Sequence, residues 1–470
     1  MGKSICMLLA LAAGAAAAES GILRYVEESG DAAVSVAQDI WGYAELGYLE
    51  EQSSRRLQGF LKDRGFAIET GVAGIPTAFL ASRGSGKPVI GILAEFDALP
   101  GLSQAAVPHR QPRVEDAPGH ACGHNLFGAA SALAAASVAA WLEETGAGGT
   151  VRLYGTPAEE GGSGKVYMTR AGLFDDVDVV LHWHPSDRND ASPSSSNANK
   201  SGRFQFHGIA AHAASAPDRG RSALDGVEAM NFMVNLMREH VPSDSRIHYV
   251  ITDGGDAPNI VPEFAEVYYY VRNPDPEVVK RLFERVADAA RAAALGTGTR
   301  MEYEVMHGNY PVLPNEVLAK QVDAHLRELG GLEYSPAEQA FAETIYQTLI
   351  EPSLELGSQA RVQPYVYRQR MGSTDVGDVS WTVPTVGFGT ATYVPGTAGH
   401  SWQVVAAGGM SIGHKGMLLA ARLLALTATD LYTNPALIER AWKELEERRG
   451  PDFEYSALLG DRDPPLDYRL

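Results

Sequence analysis

The stretch "GHACGHNLFG" (residues 119–128) places one cysteine and two histidines within five positions, directly before a long alanine-rich run. A buried structural cysteine usually lies among aliphatic neighbours, whereas the neighbours of Cys122 are glycine and histidine. Thiolate and imidazole are the ligands that zinc and similar ions prefer. The stretch therefore indicates a metal or catalytic site, in which a turn at Gly123 would direct Cys122 and His124 towards one ion.

Carboxylates and further histidines occur later in the chain. "TPAEEGGSG" contains Glu159 and Glu160, "LHWHP" contains His182 and His184, and "GTAGHSWQ" contains His400. A lone pair of glutamates is more often a solvated edge than a site. Two adjacent carboxylates at a strand end could also divide the work, because one can bind a metal while the other transfers a proton. Together these donors suit zinc, and the oxygen and imidazole groups also suit manganese.

The composition limits the classes of partner. The 470 residues carry a formal net charge of −19, which argues against nucleic acid or an anionic membrane surface as a partner. A small anionic substrate stays compatible, since it needs only a local basic pocket. The length favours two or three domains.

The first twenty residues predict a secretory signal peptide, and so an exported, periplasmic protein. Lys3 precedes the apolar residues 5–11, and the small-residue run "AAGAAAAES" follows. A membrane anchor is the weaker interpretation, because the strongly apolar part is too short to span a bilayer. Removal of residues 1–20 would leave Cys122 as the single cysteine in an oxidising compartment, where metal coordination would protect the thiol.

The pattern along the chain predicts an α/β catalytic domain with a mixed, largely parallel sheet. The strands "PVIGILAEF", "GTVRLYG" and "VDVVLHWH" alternate with helical segments, one of them residues 125–145. Asp97 and the glutamate pair follow strands and His182 closes a third, and open α/β sheets bind their ligands at such strand ends.

A second domain is predicted in the middle of the chain. Residues 185–202 are rich in serine, asparagine and proline and read as a linker or loop. The order strand, helix, strand, strand, helix, strand then predicts an inserted ferredoxin-like α+β domain over residues 201–312. Residues 21–200 and 313–470 would form the two parts of the catalytic domain.

Seven motifs in order resemble the dinuclear-metal amidohydrolases of peptidase family M20, to which hippurate hydrolase and the indoleacetyl-amino-acid hydrolases belong. They are "AEFDALPG", "GHACGHN", "TPAEEGGSG", "LHWHP", "GIAAHAASAP", "GGDAPNIVPEFAEVYYYVR" and "GHSWQ". Within the family, "STDVGDVSW", the asparagine of "CGHN" and "HKGM" are most similar to the B-type members of the aminobenzoyl-glutamate hydrolases.

The resemblance implies two divalent ions, zinc or manganese, and five ligands: Cys122, His124, Glu160, His182 and His400. It also implies that Glu159 is the general base. Asp97 would not bind a metal itself but would orient one of the metal ligands. His184 and His414 compete for the two later ligand positions, but the matched motifs rank His182 and His400 above them. Asn125 stands where the family often has Asp, which leaves the number of ions open.

In the inserted domain, the resemblance implies that His212, Asn259 and Arg272 contact substrate, with His212 reaching across the interface of a homodimer. The simpler alternatives are a capping role for His212 and a surface charge at a strand end for Arg272. The inserted domain would then serve as a dimerisation and lid domain.

The expected activity is hydrolysis of the amide bond of an N-acyl or N-aroyl amino acid, of the aminobenzoyl-glutamate type, or of a dipeptide. A metal-bound water would lose its proton to Glu159 and attack the carbonyl, while His212 stabilises the oxyanion. Arg272 and Asn259 would hold the substrate carboxylate. Hydrolysis of an ester or lactam, and a non-catalytic binding protein, are the alternatives.

Overall fold

The computed structural model describes the backbone from residue 2 and the side chains from residue 21 to residue 470. The predicted signal peptide, residues 1–20, therefore lies outside the fully described residues. The helices are α1 (Gly2–Tyr43), α2 (Glu51–Lys62), α3 (His124–Thr145), α4 (Gly164–Arg170), α5 (Ala223–Met237), α6 (Pro276–Thr297), α7 (Glu316–Leu329), α8 (Pro336–Tyr346), α9 (Val376–Thr382), α10 (Trp402–Gly408), α11 (Ser411–Thr433) and α12 (Pro435–Arg449). The strands are β1 (Ala67–Thr70), β2 (Phe79–Ser85), β3 (Val89–Ala94), β4 (Gly149–Gly155), β5 (Val179–Leu181), β6 (His184–Ser186), β7 (Ser194–Ser195), β8 (Ala198–His207), β9 (Arg246–Asp253), β10 (Phe264–Asn273), β11 (Arg300–Asn309), β12 (Arg368–Gln369), β13 (Thr385–Val386) and β14 (Gly389–Ala391).

The main sheet has the strand order β1-β2-β4-β3-β5-β13. Strands β4, β3, β5 and β13 are parallel, while β1 and β2 add an antiparallel edge. Every residue of β3, "VIGILA", is buried, as expected for a central strand covered on both faces. The predicted mixed, largely parallel sheet is confirmed.

Helix α3 lies in the core of the main domain. Its alanine-rich sequence is buried almost throughout, and it packs against α1, α11 and the sheet. Among the described residues α3 alone is, by itself, long and apolar enough to span a membrane, but 94% of its apolar window is buried inside the protein. Helices α10 and α11 meet the same criterion only as a pair, which is bent by 72°. Packing within the core accounts for the composition of α3.

The second sheet has the order β11-β8-β10-β9 and is antiparallel throughout. With α5 after β8 and α6 after β10, this is the predicted ferredoxin-like arrangement. Local signals start both helices, since Ser222 accepts from Asp225 N and Asp275 accepts from Glu277 N, with Pro276 in the first turn of α6.

The linker or loop predicted over residues 185–202 is only partly correct, because irregular backbone alternates there with short strands. The segment contains β6, β7 and the first part of β8, and β7 pairs with β12 about 170 residues later. Its polar side chains bond to distant backbone rather than to water: Ser195 donates to Val312 O and Asn197 donates to Met371 O.

Candidate metal centre

The centre lies at the carboxyl ends of the parallel strands. Asp97 follows β3, Glu159 and Glu160 follow β4, and His184 opens β6 just after β5. The first residue of α3, His124, comes to the same edge, and His400 lies just before α10. The position matches the crevice where open α/β sheets bind ligands.

Two groups of potential ligands share one thiol. Atoms of Cys122, His124 and His184 lie within 4.8 Å of one another, and so do those of Cys122, Glu160 and His400. Gly123 has a φ of +79°, and a Cβ there would press on the ring of Pro185. The glycine therefore supplies the turn by which Cys122 and His124 approach one point.

The structure corrects the ranking of the two histidines in "LHWHP", because it brings His184 and not His182 to the other donors. Strand β5 ends at Leu181 and β6 begins at His184, so the regular alternation of side chains breaks between them. His184 Nδ1 donates to Pro185 O (2.7 Å), which leaves Nε2 free at 3.5 Å from Cys122 Sγ. The ring of His182 instead packs over Gly387.

His414 also lies outside both groups, and its buried Nε2 has no hydrogen-bond partner among the described residues. Asn125, which replaces the family's Asp, ties α3 to its neighbours by donating to Ala37 O and Gly408 O. The carboxylate that forms hydrogen bonds to the potential ligands is instead that of Asp97.

Asp97 joins two of the potential ligands. Its Oδ1 accepts from His124 Nδ1 (2.8 Å) and its Oδ2 accepts from Glu160 N (2.9 Å). The carbonyl oxygen of Glu160 accepts from Tyr468 OH (3.2 Å) and from Arg469 Nη2 (2.7 Å). The orientation of Glu160 therefore depends on both the sheet edge and the last described residues of the chain.

The turn that carries the two glutamates is held in an unusual backbone conformation. Ala158 has a φ of +56°, and its N–H donates to the buried Glu50 Oε1 (2.8 Å). The other oxygen of Glu50 accepts from the hydroxyl of Thr77 (3.0 Å). Burial raises the pKa of Glu50 to about 8. His400 also has a positive φ, +58°. Such strain concentrates at functional sites.

Sequence reasoning missed a buried charge network beside the ligands. Lys165 Nζ lies 2.7 Å from both Glu95 Oε1 and Asp375 Oδ1, and all three side chains are at most 1% exposed. The other oxygen of Glu95 lies 3.1 Å from His124 Nε2. Each residue adjoins or lies in a motif quoted above, but no local sequence pattern indicates that the fold brings the three side chains together.

The charges in the centre favour a bound cation. Burial alone would lower the pKa of His124, but Cys122, Asp97 and Glu95 outweigh it and raise that pKa well above its usual range. Burial, with Glu95 and Glu160 nearby, raises the pKa of Glu159 well above its usual range. Burial also opposes the ionised form of Glu160, but His400 and His124 lower its pKa overall.

The donor set fits divalent ions. Glu95 Oε2 lies 3.1 Å from His124 Nε2 and Glu160 Oε1 lies 3.1 Å from His400 Nε2, but neither buried oxygen nor His124 Nε2 makes a well-formed hydrogen bond to another described residue. A thiolate, imidazoles and carboxylates in two overlapping groups are the ligand types that zinc accepts. A cation between these atoms would satisfy them.

A cavity of about 590 Å³ opens beside the centre, within the usual range for small-molecule sites. On one side it meets Cys122, Glu159, Glu160 and His400. Away from them it is bounded by an apolar surface and by a polar wall from residues 190–196 and 370–374.

The three predicted substrate contacts of the inserted domain do not line this cavity. His212 is exposed, and its Nδ1 accepts from Ala214 N and Ser215 N (both 3.2 Å), so Nε2 carries the proton. Asn259 is exposed and accepts through its backbone carbonyl from Ala213 N. Arg272 stacks over Tyr270, and its Nε is buried without a partner in the described part of the chain.

Comparisons with known proteins identify the class. A family profile described as "Peptidase dimerisation domain" matches residues 196–297. The chain is 39% identical over 457 residues to the B subunit of the p-aminobenzoyl-glutamate hydrolase of Escherichia coli, covering 91% of this chain and 95% of that protein. It is 31% identical over 435 residues to the Xaa-Arg dipeptidase of Mus musculus, covering 90% of each.

The fold has solved counterparts. A dinuclear metal-binding peptidase of the M20 family from Bacillus subtilis aligns with a TM-score of 0.59 at 17% identity, covering 87% of this chain and 99% of that one. Fold, donor set and relatives together define a metal-dependent hydrolase that acts on carbon–nitrogen bonds. The chain belongs to the M20 peptidase family.

Proposed function

We propose that the protein hydrolyses the amide bond of an N-acyl or N-aroyl amino acid, of the aminobenzoyl-glutamate type. The observation that carries the proposal is the cavity in which Glu159 lies beside two overlapping groups of potential metal ligands. The chain's similarity to the B subunit of the p-aminobenzoyl-glutamate hydrolase supports the acyl-amino acid class. A dipeptide is the second substrate class, which the similarity to the Xaa-Arg dipeptidase supports.

Cys122, His124, Glu160, His184 and His400 would hold two divalent ions, zinc or manganese. Bound divalent ions supply Lewis acidity, which polarises a carbonyl and makes water more acidic. Asp97 keeps the ring of His124 and the backbone of Glu160 in place through its two hydrogen bonds.

Glu159 acts as the general base and then as the general acid. Its carboxylate takes a proton from the attacking water and passes it to the nitrogen of the leaving amine. The side chain adjoins the cavity, and one of its oxygens lies within 4.8 Å of donor atoms of His124 and Glu160.

His212, Asn259 and Arg272 act on substrate in a homodimer. His212 Nε2 carries a proton and can donate to the carbonyl oxygen, but His212 lies away from its own chain's cavity. Edge strand β9 exposes three large side chains and α5 exposes two: Tyr249, Val250, Ile251, Phe232 and Leu236. Pairing of this edge with its copy would bury these side chains and carry His212 towards the other cavity.

A second kind of chain is the alternative partner. The chain is 29% identical over 272 residues to the A subunit of the p-aminobenzoyl-glutamate hydrolase of Escherichia coli, so a protein of that type could take the place of the second copy. Native mass of the protein purified from its own host distinguishes the two assemblies. A mass of twice this chain supports the homodimer, and a mass that includes a different chain contradicts it.

The protein is exported to the periplasm after removal of residues 1–20. The signal-like sequence of those residues and the single remaining thiol support this location. Fractionation followed by intact-mass measurement tests it, and a cytoplasmic protein that keeps residues 1–20 would contradict it.

The test of the activity uses metal-depleted protein reloaded with Zn²⁺ or Mn²⁺. N-(4-aminobenzoyl)-glutamate, N-benzoylglycine, a dipeptide ending in arginine and an ester analogue are assayed for released amine or acid. We expect amide hydrolysis that depends on metal and is lost in Glu159→Gln. Faster hydrolysis of the ester than of every amide, or metal binding without turnover, would contradict the proposal.

A further inference from the structure

The polar wall of the cavity contains a cation that forms no ion pair in the described part of the chain. Arg370 lines the cavity, and no carboxylate or carbonyl among the described residues accepts a hydrogen bond from its guanidinium. Among the described residues of the lining, it is the only lysine or arginine. Because Arg370 is also exposed, it lies where the cavity opens towards solvent.

The neighbouring charges are already paired, which distinguishes Arg370 from them. Asp187 accepts two hydrogen bonds from Arg188 (2.7 and 3.0 Å). Asp190 accepts from Ser192 N (2.8 Å) through one oxygen and from Arg368 Nε (3.2 Å) through the other. Both nearby carboxylates are therefore engaged, and the charge of Arg370 is left for a ligand.

The backbone around Arg370 is fixed. Strands β7 and β12 pair in parallel, and Arg370 N donates to Ser195 O (2.9 Å). Two residues further along both segments, Asn197 N donates to Gly372 O (2.9 Å). The segment that the sequence suggested as a linker therefore holds the arginine against the cavity.

Two hydroxyl groups that line the same cavity as Arg370 are also free to donate. Ser373 lines the cavity, and its buried Oγ has no hydrogen-bond partner among the described residues. The side chain of Ser194 lines the cavity as well and makes no hydrogen bond to another described residue. A guanidinium and two unpaired hydroxyl groups lining one cavity are a set of donors without an acceptor, which suits a carboxylate.

We propose that Arg370, with Ser194 and Ser373, binds the side-chain carboxylate of the amino acid part of the substrate, so that the enzyme prefers N-acyl derivatives of glutamate or aspartate. This inference rests on the proposed amidohydrolase function. A basic side chain at the same place would meet the positive charge of Arg370, and a neutral one would leave it unpaired. The binding energy of this pair makes Arg370 a determinant of specificity.

The kinetic test compares Arg370→Met with wild type on N-benzoyl-glutamate and N-benzoyl-alanine, which differ in the second carboxylate. We expect the variant to raise KM for the glutamate substrate by about 10- to 100-fold, as for the loss of charge-assisted hydrogen bonds, with little change for alanine. Arg370→Lys should recover part of the preference. The control Arg361→Met removes a cation from the same segment, where Arg361 pairs with the exposed Glu355. This variant should leave the KM for both substrates unchanged.

Equal losses for both substrates, or no loss for either, would overturn the inference. In the first case Arg370 would bind the α-carboxylate or support the fold, and in the second it would contact no substrate. Calorimetry with glutarate and butyrate tests recognition without turnover. Tighter binding of glutarate that disappears in Arg370→Met supports the site even if no amide is hydrolysed, so a failure of the proposed function is recognised separately.

Discussion

Individual side chains in the metal centre differ in how firmly the chain holds them. His184 is fixed through Pro185 O, His124 through Asp97, and Glu160 through its own backbone. His182 lies only two residues from His184, but its Nδ1 is buried without a partner among the described residues and its ring covers Gly387. Burial lowers the pKa of both rings to about 3, so both are neutral and differ in position rather than in charge.

The assignment of His184 leads to a direct prediction. His184→Ala should lower metal affinity by at least the roughly 10- to 100-fold that the loss of an outer hydrogen-bond partner costs. His182→Ala, its matched control in the same motif, should keep its metal. Elemental analysis after dialysis against a weak chelator measures both. Metal loss in the His182 variant alone would restore the sequence-based ranking.

Substitution of each of the two adjacent glutamates should distinguish loss of catalysis from loss of bound metal. Glu159→Gln should keep the metal and lower kcat by roughly 10²- to 10⁴-fold, the usual contribution of a positioned general base. Glu160→Gln should lose metal, because its carboxylate belongs to the ligand group with Cys122 and His400. Parallel metal analysis and steady-state kinetics test the pair, and exchanged phenotypes would show that the two roles are inverted.

At the scale of elements, the helices and strands that could be predicted are those whose pattern of apolar residues is local in the sequence. The buried strand β3, the apolar helix α3 and the split βαβ order of the inserted domain each follow from residues close together in the chain. Over residues 185–202, serine, asparagine and proline predict a linker or loop, but the segment also contains β6, β7 and the start of β8. Its backbone partners, such as Gly372, are far away in the chain, and no local pattern reveals such pairing.

Contacts between residues that are distant in the chain also explain why part of the candidate site could not be predicted from the sequence. Lys165 reads as an ordinary surface lysine, and only the fold brings Glu95 and Asp375 to it. The ligand motifs were recognisable because their residue types are unusual together. The choice between His182 and His184 depended on where β5 ends, and strand ends are the least predictable feature of a sequence.

A buried histidine joins the two domains and should make their contact sensitive to acid. His307 on β11 accepts from the hydroxyl of Ser163 at Nδ1 and donates from Nε2 to Asn309 Oδ1 (2.9 Å). Burial lowers the pKa of His307 to about 4, below the usual value of 6.5. The folded state therefore binds fewer protons than the unfolded state between these values, so stability falls as pH drops from about 6.5 towards 4.

His307→Gln should reduce this loss of stability. The complete shift of the pKa corresponds to about 3 kcal/mol at low pH, and the variant removes that contribution while other buried histidines keep theirs. Thermal unfolding of metal-depleted wild type and variant at pH 7, 6, 5 and 4 measures the difference. If the unfolding temperatures of wild type and variant differ by the same amount at all four pH values, His307 does not titrate on unfolding.

At the scale of the whole molecule, the cavity of one chain contains the potential ligands and Glu159, while the exposed His212 lies outside it. The inserted domain has an edge strand, β9, whose side chains are mostly exposed, and a family profile for dimerisation covers this domain. An isologous contact through this edge would bring two inserted domains together with twofold symmetry. Each complete site would then draw on both chains.

Mixing two inactive variants tests this arrangement. His212→Ala and Glu159→Gln protomers are each expected to be inactive, because each lacks one contribution to every site. After exchange of protomers, a mixed dimer has one site with Glu159 from one chain and His212 from the other. A random mixture is about half mixed dimer with one complete site of two, so activity should recover to roughly a quarter of wild type. Native mass spectrometry verifies the exchange. If mixed dimers form and no activity returns, His212 acts within its own chain or serves only the structure of the inserted domain.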